Sequence, residues 1–132
     1  MKIKLFICFV CVSFFSFCQT EEVSIIDYVQ VVNKNKAETL YYYQNNWEQL
    51  RIKALEKGYI KNYNLLETKP TQETPYTFIL ITTYKNKAQY EASETNFQEI
   101  INNSGGLKLL NSKTPPEFRK VILNNDHVIH WN

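Results

Sequence analysis

Three short segments of the chain are dense in β-branched and aromatic residues, which is typical of β-strands. Residues 23–32 read Val-Ser-Ile-Ile-Asp-Tyr-Val-Gln-Val-Val, and residues 76–84 read Tyr-Thr-Phe-Ile-Leu-Ile-Thr-Thr-Tyr. Residues 59–67 form a weaker run of the same kind, and a connection with two prolines, residues 68–75, joins it to the run at 76–84. We therefore predict three strands, of which the second and third pair as a hairpin.

Two longer segments contain neither glycine nor proline and carry apolar residues at helical spacing. Residues 85–102 predict a helix that begins near Asn86 and ends at the polar, glycine-containing residues 103–106. Residues 37–57 predict a longer amphipathic helix that ends at Gly58. Its apolar positions recur at intervals of three, four and seven residues and are Leu40, Tyr43, Trp47, Leu50, Ala54 and Leu55.

The C-terminal third is harder to assign. Residues 107–120 contain a pair of prolines, and we expect a short helical turn there at residues 117–119. Residues 121–131 predict either a strand pair or one interrupted strand, because turn-prone residues 124–126 lie in the middle. The resulting order is β-α-β-β-α-β. It predicts an α+β, ferredoxin-like domain, with a four-stranded antiparallel sheet and two helices on one of its faces.

The strand predicted at residues 76–84 is apolar on both faces. Tyr76, Phe78 and Leu80 point to one side, and Ile79 and Ile81 point to the other. Two helices can cover only one face of a four-stranded sheet, and the free face of a monomer should be polar. We therefore predict a homodimer that forms through the face the helices leave open.

The first 18 residues have the pattern of an export signal. Lys2 and Lys4 precede an apolar run at residues 5–17, and small residues, Ser16 and Cys18, occupy the −3 and −1 positions of a cleavage site. The run is too short to cross a bilayer, which needs about 20 apolar residues. We predict cleavage before Gln19, export to the periplasm or beyond, and no transmembrane segment after the signal is removed.

A signal that ends on cysteine also suggests a lipoprotein, in which Cys18 becomes the acylated first residue. Bulky Phe17, where a small residue is expected, argues against acylation. The remaining residues, 19–132, are enough for a single domain with one hydrophobic core.

Composition excludes several classes of function. Two of the 15 basic residues lie in the predicted signal, which leaves 13 basic and 13 acidic residues beyond it. A neutral domain without a basic cluster is not expected to bind nucleic acid. All three cysteines fall within residues 1–18, so the domain has no thiolate nucleophile, cysteine zinc site or iron–sulfur cluster. No phosphate-binding loop, dinucleotide motif or hydrolase motif is present, and we expect no cofactor.

His127 and His130 are the only histidines. Residues three apart in a strand point to opposite faces, so one ion could bind both only if the backbone turns between them. We expect a structural pair and no metal site, although a single histidine could still act as a base in a pocket.

The aromatic residues suggest a ligand site. Tyr41, Tyr42 and Tyr43 cannot all face the sheet from one helix, and tyrosine suits a half-wet pocket as well as a core edge. One interpretation is that Tyr43 and Trp47 simply pack on the sheet. The other is that Tyr43, Trp47 and Tyr63 line a ligand pocket between the sheet and the helices.

In its order of elements the chain resembles the dimeric α/β-barrel proteins, and in particular small secreted members from Bacteroidetes. In this family two ferredoxin-like subunits press their open sheet faces together. The resemblance covers most of the chain after the signal and contains no catalytic motif. The segments that carry it are Ser16-Phe17-Cys18-Gln19, residues 47–51 through 58–60, Tyr63-Asn64-Leu65-Leu66-Glu67-Thr68, residues 78–84 and Phe118-Arg119-Lys120.

Two functions follow as hypotheses. One is an exported protein that binds a small apolar or aromatic ligand. The alternative, implied by the resemblance, is a cofactor-free monooxygenase of the antibiotic-biosynthesis-monooxygenase kind, whose members use Asn, Trp and His side chains. No matching motif is found here, so no catalytic residue is assigned. An enzyme needs a polar group with a tuned pKa in its pocket, whereas a binding protein needs only shape and apolar surface.

Overall fold

The computed structural model describes residues 21–131. The predicted signal, with Cys8, Cys11 and Cys18, lies outside these residues. Within them, no helix is both long and apolar enough to cross a membrane. The elements are β1 (Val23–Val31), α1 (Lys36–Tyr42), a π-helical turn (Tyr43–Trp47), α2 (Glu48–Glu56), β2 (Asn62–Glu67), β3 (Phe78–Tyr84), α3 (Lys87–Glu91), α4 (Ser93–Asn102), α5 (Pro115–Phe118) and β4 (Arg119–Ile129).

The four strands form one antiparallel sheet in the order β2-β3-β1-β4. This order and the succession of elements confirm the predicted α+β, ferredoxin-like arrangement. The connection from β2 to β3 is the predicted hairpin, with Thr68 N–H donating to the Thr77 carbonyl at 2.8 Å. β1 lies in the interior of the sheet and pairs with a strand on each side.

The helices pack on one face of the sheet, where two apolar clusters form the core. Around Tyr43 the core contains Val29, Phe78 and Leu80. Around Tyr84 it contains Ala54, Ile60 and Ile100. Each cluster joins the sheet to the helical layer, so burial of these side chains fixes the helices over β1 and β3.

The helices cover the face of β3 that carries Phe78 and Leu80. Phe78 and Leu80 are buried beneath the helices, and Ile79 and Ile81 are half-buried on the opposite face. Tyr76 differs from expectation, because β3 begins only at Phe78 and the Tyr76 ring instead meets Tyr28 edge-on at 4.8 Å. Tyr28 precedes Val29, which is buried beneath the helices, and adjacent strand residues point to opposite faces. Tyr76 therefore belongs to the outer face.

Three predicted elements differ in detail. The first long helix is continuous but contains a π-helical turn, in which Glu48 N–H bonds to the carbonyl of Tyr43, five residues back. The second is divided at Ala92 into α3 and α4. The final segment is one strand, β4, whose register with β1 shifts twice, and the bulges replace the expected turn. Periodicity alone did not reveal these breaks, because each moves the pattern by a single residue.

Gly58 follows the C-terminal cap of α2 and allows the chain to turn away from the helix. Its φ of +70° lies in the left-handed region, and a Cβ added there would meet no atom within 4 Å. We expect Gly58→Ala to lower the free energy of unfolding by about 1 kcal/mol through backbone strain alone. Urea denaturation measures it. Gly105→Ala is the matched control, because Gly105 has equally open surroundings without a positive φ, and equal stability of the two variants would contradict the assignment.

Candidate functional site

A cleft of ≈560 Å³ lies between the sheet and the helical layer. Its floor is formed by β1, β3 and β4, one wall by the π-helical turn and α2, and its rim by the loop that follows α4. The aromatic and aliphatic part of the lining consists of Tyr42, Tyr43, Trp47, Leu50, Leu80, Ile101, Leu107 and Val121. This volume is within the range of about 300–1,000 Å³ that small-molecule sites usually have.

The rim loop is attached to the π-helical turn by Asn46. The Asn46 side chain donates to the Lys108 carbonyl at 2.8 Å and accepts from the Lys108 N–H at 2.7 Å. Asn46 also donates to the Tyr42 carbonyl at 2.8 Å, which fixes its own orientation. Gly105 and Gly106, which precede Lys108, would allow the loop many conformations. The bonds from Asn46 to main-chain atoms hold it beside the cleft.

Tyr43 presents a polar atom in apolar surroundings. The residue is 3% exposed, and its hydroxyl has no hydrogen-bond partner. Burial raises the pKa of Tyr43 far above its ordinary value, although the nearby Arg119 charge opposes the shift. The hydroxyl therefore keeps its proton and is a buried donor without an acceptor.

Arg119 lies beside Tyr43. Its guanidinium stacks over the Tyr42 ring at 4.9 Å and lies 5.7 Å from the centre of the Tyr43 ring. Nη2 makes a long contact of 3.4 Å with the Tyr42 hydroxyl, and Nε is buried without a partner. The aromatic stacking orients the guanidinium while leaving its hydrogen-bonding capacity largely unused.

Neighbouring bonds at Phe118 determine where Arg119 lies. Phe118 ends α5 and is buried, and its carbonyl accepts from Val32 N–H at 2.8 Å and from the Thr39 hydroxyl at 2.9 Å. These bonds tie the start of β4 both to the end of β1 and to α1. Arg119, the next residue, is thereby directed into the cleft.

Asp27 is the one acidic residue in the cleft lining. It pairs with Leu80 of β3 across the sheet, and its carboxylate accepts a hydrogen bond of 2.5 Å from the Asn124 side chain on β4. Neither Asp27 nor Arg119 was among the residues predicted from the sequence to bind a ligand. Asp27 could have been noticed, because it is a single charged residue in the middle of a strand rich in β-branched residues. The residues around Arg119 in the sequence do not indicate that its side chain enters a cavity.

The three residues predicted to bind a ligand do not all line the cleft. Tyr43 and Trp47 do, and Tyr63 does not. Tyr63 instead meets the Trp47 ring edge-on, with 5.7 Å between ring centres and an angle of 80°. The role of the three in binding stays a prediction, in which Tyr63 supports Trp47 from behind.

Arg51 supports Trp47 as well. Its guanidinium lies 4.5 Å from the ring centres of both Trp47 and Phe97, and its Nε donates to the Thr82 hydroxyl at 3.2 Å. Burial lowers the pKa of Arg51 to about 10, so the side chain remains charged at neutral pH. Trp47 is thus held in one orientation by a cation and an aromatic edge.

The two histidines lie away from the cleft lining. The His127 ring meets Tyr90 of α3 at 5.2 Å. His130 Nε2 is 2.7 Å from the Ser24 hydroxyl, and its Nδ1 is 3.7 Å from Glu22. Within residues 21–131, no group of three or more histidine, cysteine or acidic side chains is placed to hold a metal ion.

Ser24, His130 and Glu22 have the order of groups found in a hydrolase triad. Ser24, however, is 1% exposed, and its hydroxyl is also 2.7 Å from that of Thr83. A nucleophile must reach a substrate carbonyl, and this hydroxyl is enclosed between strands. The constellation joins β1 and β3 to the end of β4 and has the character of a structural network.

A second depression, of ≈730 Å³, lies beside the turn between β1 and α1 and the connection at residues 68–77. It is more open than the cleft, and lysine, threonine and proline predominate in its lining. It contains none of the aromatic residues that could hold a flat ligand. The cleft beside Trp47 is therefore the better candidate.

Comparison with known proteins adds little to this geometry. No protein-family model matches the chain, and no curated protein matches it in sequence. Among solved structures, the crystal structure of HapK from Hahella chejuensis is similar, with a TM-score of 0.47 and 10% sequence identity over 78% of this chain and 88% of that chain. A likeness this distant says nothing about the function of the cleft.

Proposed function

We propose that the domain at residues 19–132 is an exported binding protein that holds a small apolar or aromatic ligand in the cleft. The observation that carries the proposal is the cleft itself, ≈560 Å³ in volume and walled by Tyr43, Trp47 and aliphatic side chains. Apolar surface that lines a concavity gains free energy when a ligand displaces water from it. The fixed orientation of Trp47 supports the proposal, because a pre-ordered wall costs little entropy on binding.

The alternative, a cofactor-free monooxygenase, has less support in the cleft. Proton transfer needs a group that titrates near neutral pH. Tyr43 retains its proton because burial raises its pKa. The two histidines contact Tyr90 and Ser24 and lie outside the cleft lining. Binding without chemistry is the function that these residues support best.

Tryptophan fluorescence tests ligand binding. In a Trp131→Phe background Trp47 is the one remaining tryptophan, and the residue removed is 86% exposed. We expect naphthalene to change Trp47 emission saturably. Val121→Phe should weaken binding about tenfold or more, because the larger ring occupies part of the volume that the ligand would fill and so reduces the ligand's own apolar burial.

Leu55→Phe is the matched control, because Leu55 is an exposed aliphatic residue of α2 outside the cleft lining. It should leave naphthalene binding unchanged. Emission that never saturates, or an equal loss of binding in both variants, would contradict a site in the cleft.

We also propose that the outer face of the sheet forms a homodimer. Its centre consists of half-buried Ile26, Tyr28, Ile79 and Ile81, flanked by Leu66 and Leu123, which are 43% and 51% exposed. Among the residues that the strand registers place on this face within 21–131, Lys120 is the one charged side chain. An apolar face with so little charge can meet its own copy without like-charge repulsion, which favours a second copy as the occupant.

Ile81→Lys tests the dimer. Ile81 pairs with Ile26 on one side and with Asn64 on the other, so two-fold symmetry would bring two new lysines into one interface. We expect a folded monomer by analytical ultracentrifugation. Leu80→Lys, on the buried face, should instead unfold the protein. Sedimentation of the unmodified protein as a monomer at micromolar concentration would refute the proposal.

Export is tested by the mass of the secreted protein. Because Ser16 and Cys18 fit the −3 and −1 positions of a cleavage site, we expect a chain that begins at Gln19, with loss of ammonia if Gln19 cyclises. Intact-mass spectrometry measures it. An acylated Cys18 would show membrane anchoring as a lipoprotein instead, and an uncleaved chain inside the cell would refute export.

A further inference from the structure

We infer that the ligand of the cleft carries a carboxylate, which binds Arg119 and the Tyr43 hydroxyl while its apolar or aromatic body contacts Trp47. The site would then take small aromatic or unsaturated carboxylic acids. This inference rests on the proposed function, because it specifies the ligand class of the same cleft.

The first support is a charge without a counter-ion. Within residues 21–131, the ion pairs of the structure involve lysines and His130, and Arg119 forms none. A guanidinium has five N–H donors, yet the contact that Arg119 makes is the 3.4 Å approach to Tyr42. Arg119 is half-buried, but its Nε is buried without a partner. A buried donor of a charged group is costly to leave unpaired, and a negatively charged acceptor would satisfy it.

The second support is the Tyr43 hydroxyl. It is buried in a residue that is 3% exposed, and no hydrogen bond of ordinary geometry satisfies it. Arg119, on the adjoining floor of the cleft, is near enough to oppose the rise in its pKa. Since burial raises the pKa of Tyr43, its hydroxyl can donate but is not ready to ionise. A planar carboxylate is an acceptor whose two oxygens suit a guanidinium fork together with a neighbouring O–H donor.

The third support is the charge balance at the cleft. Lys53 and Lys108 line its edge together with Arg119, against the single carboxylate of Asp27. Asp27 is already engaged by Asn124 at 2.5 Å. Asn124 is neutral, so the cleft lining carries three cations against one carboxylate, and this excess of positive charge favours an anion over a cationic ligand.

A carboxylate can reach these donors only with a small local movement. Arg119 Nε and the Tyr43 hydroxyl lie just beneath the cleft surface, and the guanidinium must turn from its long contact with Tyr42 to expose them. The competing arrangement is a direct bond between Arg119 and Tyr43 that satisfies both without a ligand. Variants of Arg119 and Tyr43 distinguish the two arrangements, because they should change the preference for an acid over its neutral analogue only if both groups bind the carboxylate.

The experiment compares 2-naphthoate with 2-naphthamide, a neutral molecule of nearly the same shape, by Trp47 fluorescence in the Trp131→Phe protein. We expect the acid to bind about tenfold more tightly or better, because charge-assisted bonds are stronger than neutral ones. Arg119→Met should abolish the preference while leaving naphthamide affinity within about threefold. Tyr43→Phe should reduce the preference about threefold.

Lys53→Met is the control for diffuse electrostatics, because Lys53 is an exposed cation of the same cleft. It should keep most of the acid preference. A loss as large as that of Arg119→Met would overturn the assignment to Arg119. If Arg119→Met does not fold, the acid-to-amide ratio of the unmodified site still decides the question.

The remaining outcomes separate the two proposals. Equal binding of acid and amide would overturn the carboxylate and leave the proposed function standing. Binding of neither, nor of naphthalene, would overturn both. If Tyr43→Phe lowers the free energy of unfolding but leaves the acid-to-amide ratio unchanged, Tyr43 and Arg119 bond to each other and the role given to Tyr43 is wrong.

Discussion

The fold depends on the two hydrogen-bond ladders of β1, with β3 on one side and β4 on the other. Both ladders join segments far apart in the chain, so closing them costs more conformational entropy than closing the β2–β3 hairpin does. Once they form, the alternation of a strand distributes the side chains of β1 between two surfaces. Asp27 and Val29 then face the helical layer, and Ile26 and Tyr28 face outward. One strand therefore supplies both the floor of the cleft and the centre of the outer face.

The sequence predicts the fold better than the site, for a physical reason. Strand and helix periodicities are local, and the order of elements restricts the sheet to few arrangements, so the ferredoxin-like topology follows from the pattern. Tyr43 and Trp47 could be placed at the sheet because helical spacing aligns them. The sequence could not show that Tyr63, unlike these two residues, lies outside the cleft lining. Tertiary packing decides which side of Trp47 a neighbouring ring contacts.

Arg119 shows what the sequence does not contain. Its position results from the burial of Phe118, from bonds to Val32 and Thr39, and from the register of β4. Each of these is a tertiary fact, and none has a signature in residues 115–120. Asp27 is different, since a carboxylate placed between isoleucine and tyrosine in a strand is unfavourable unless it meets a partner or a cavity. An isolated charge within a strand is thus a more useful indicator than aromatic content.

The attachment of the rim loop has a consequence for how this protein can diverge. Asn46 recognises only the main-chain N–H and carbonyl of residue 108, which every amino acid offers except proline, which lacks the N–H. The path of the loop is therefore insensitive to the identity of its side chains. Leu107 and Lys108 can be exchanged for larger, smaller or oppositely charged residues while the backbone keeps its place beside Trp47. Relatives that keep an asparagine at position 46 can accordingly share this backbone and bind different ligands. The side chains at positions 107 and 108 would then determine ligand selectivity.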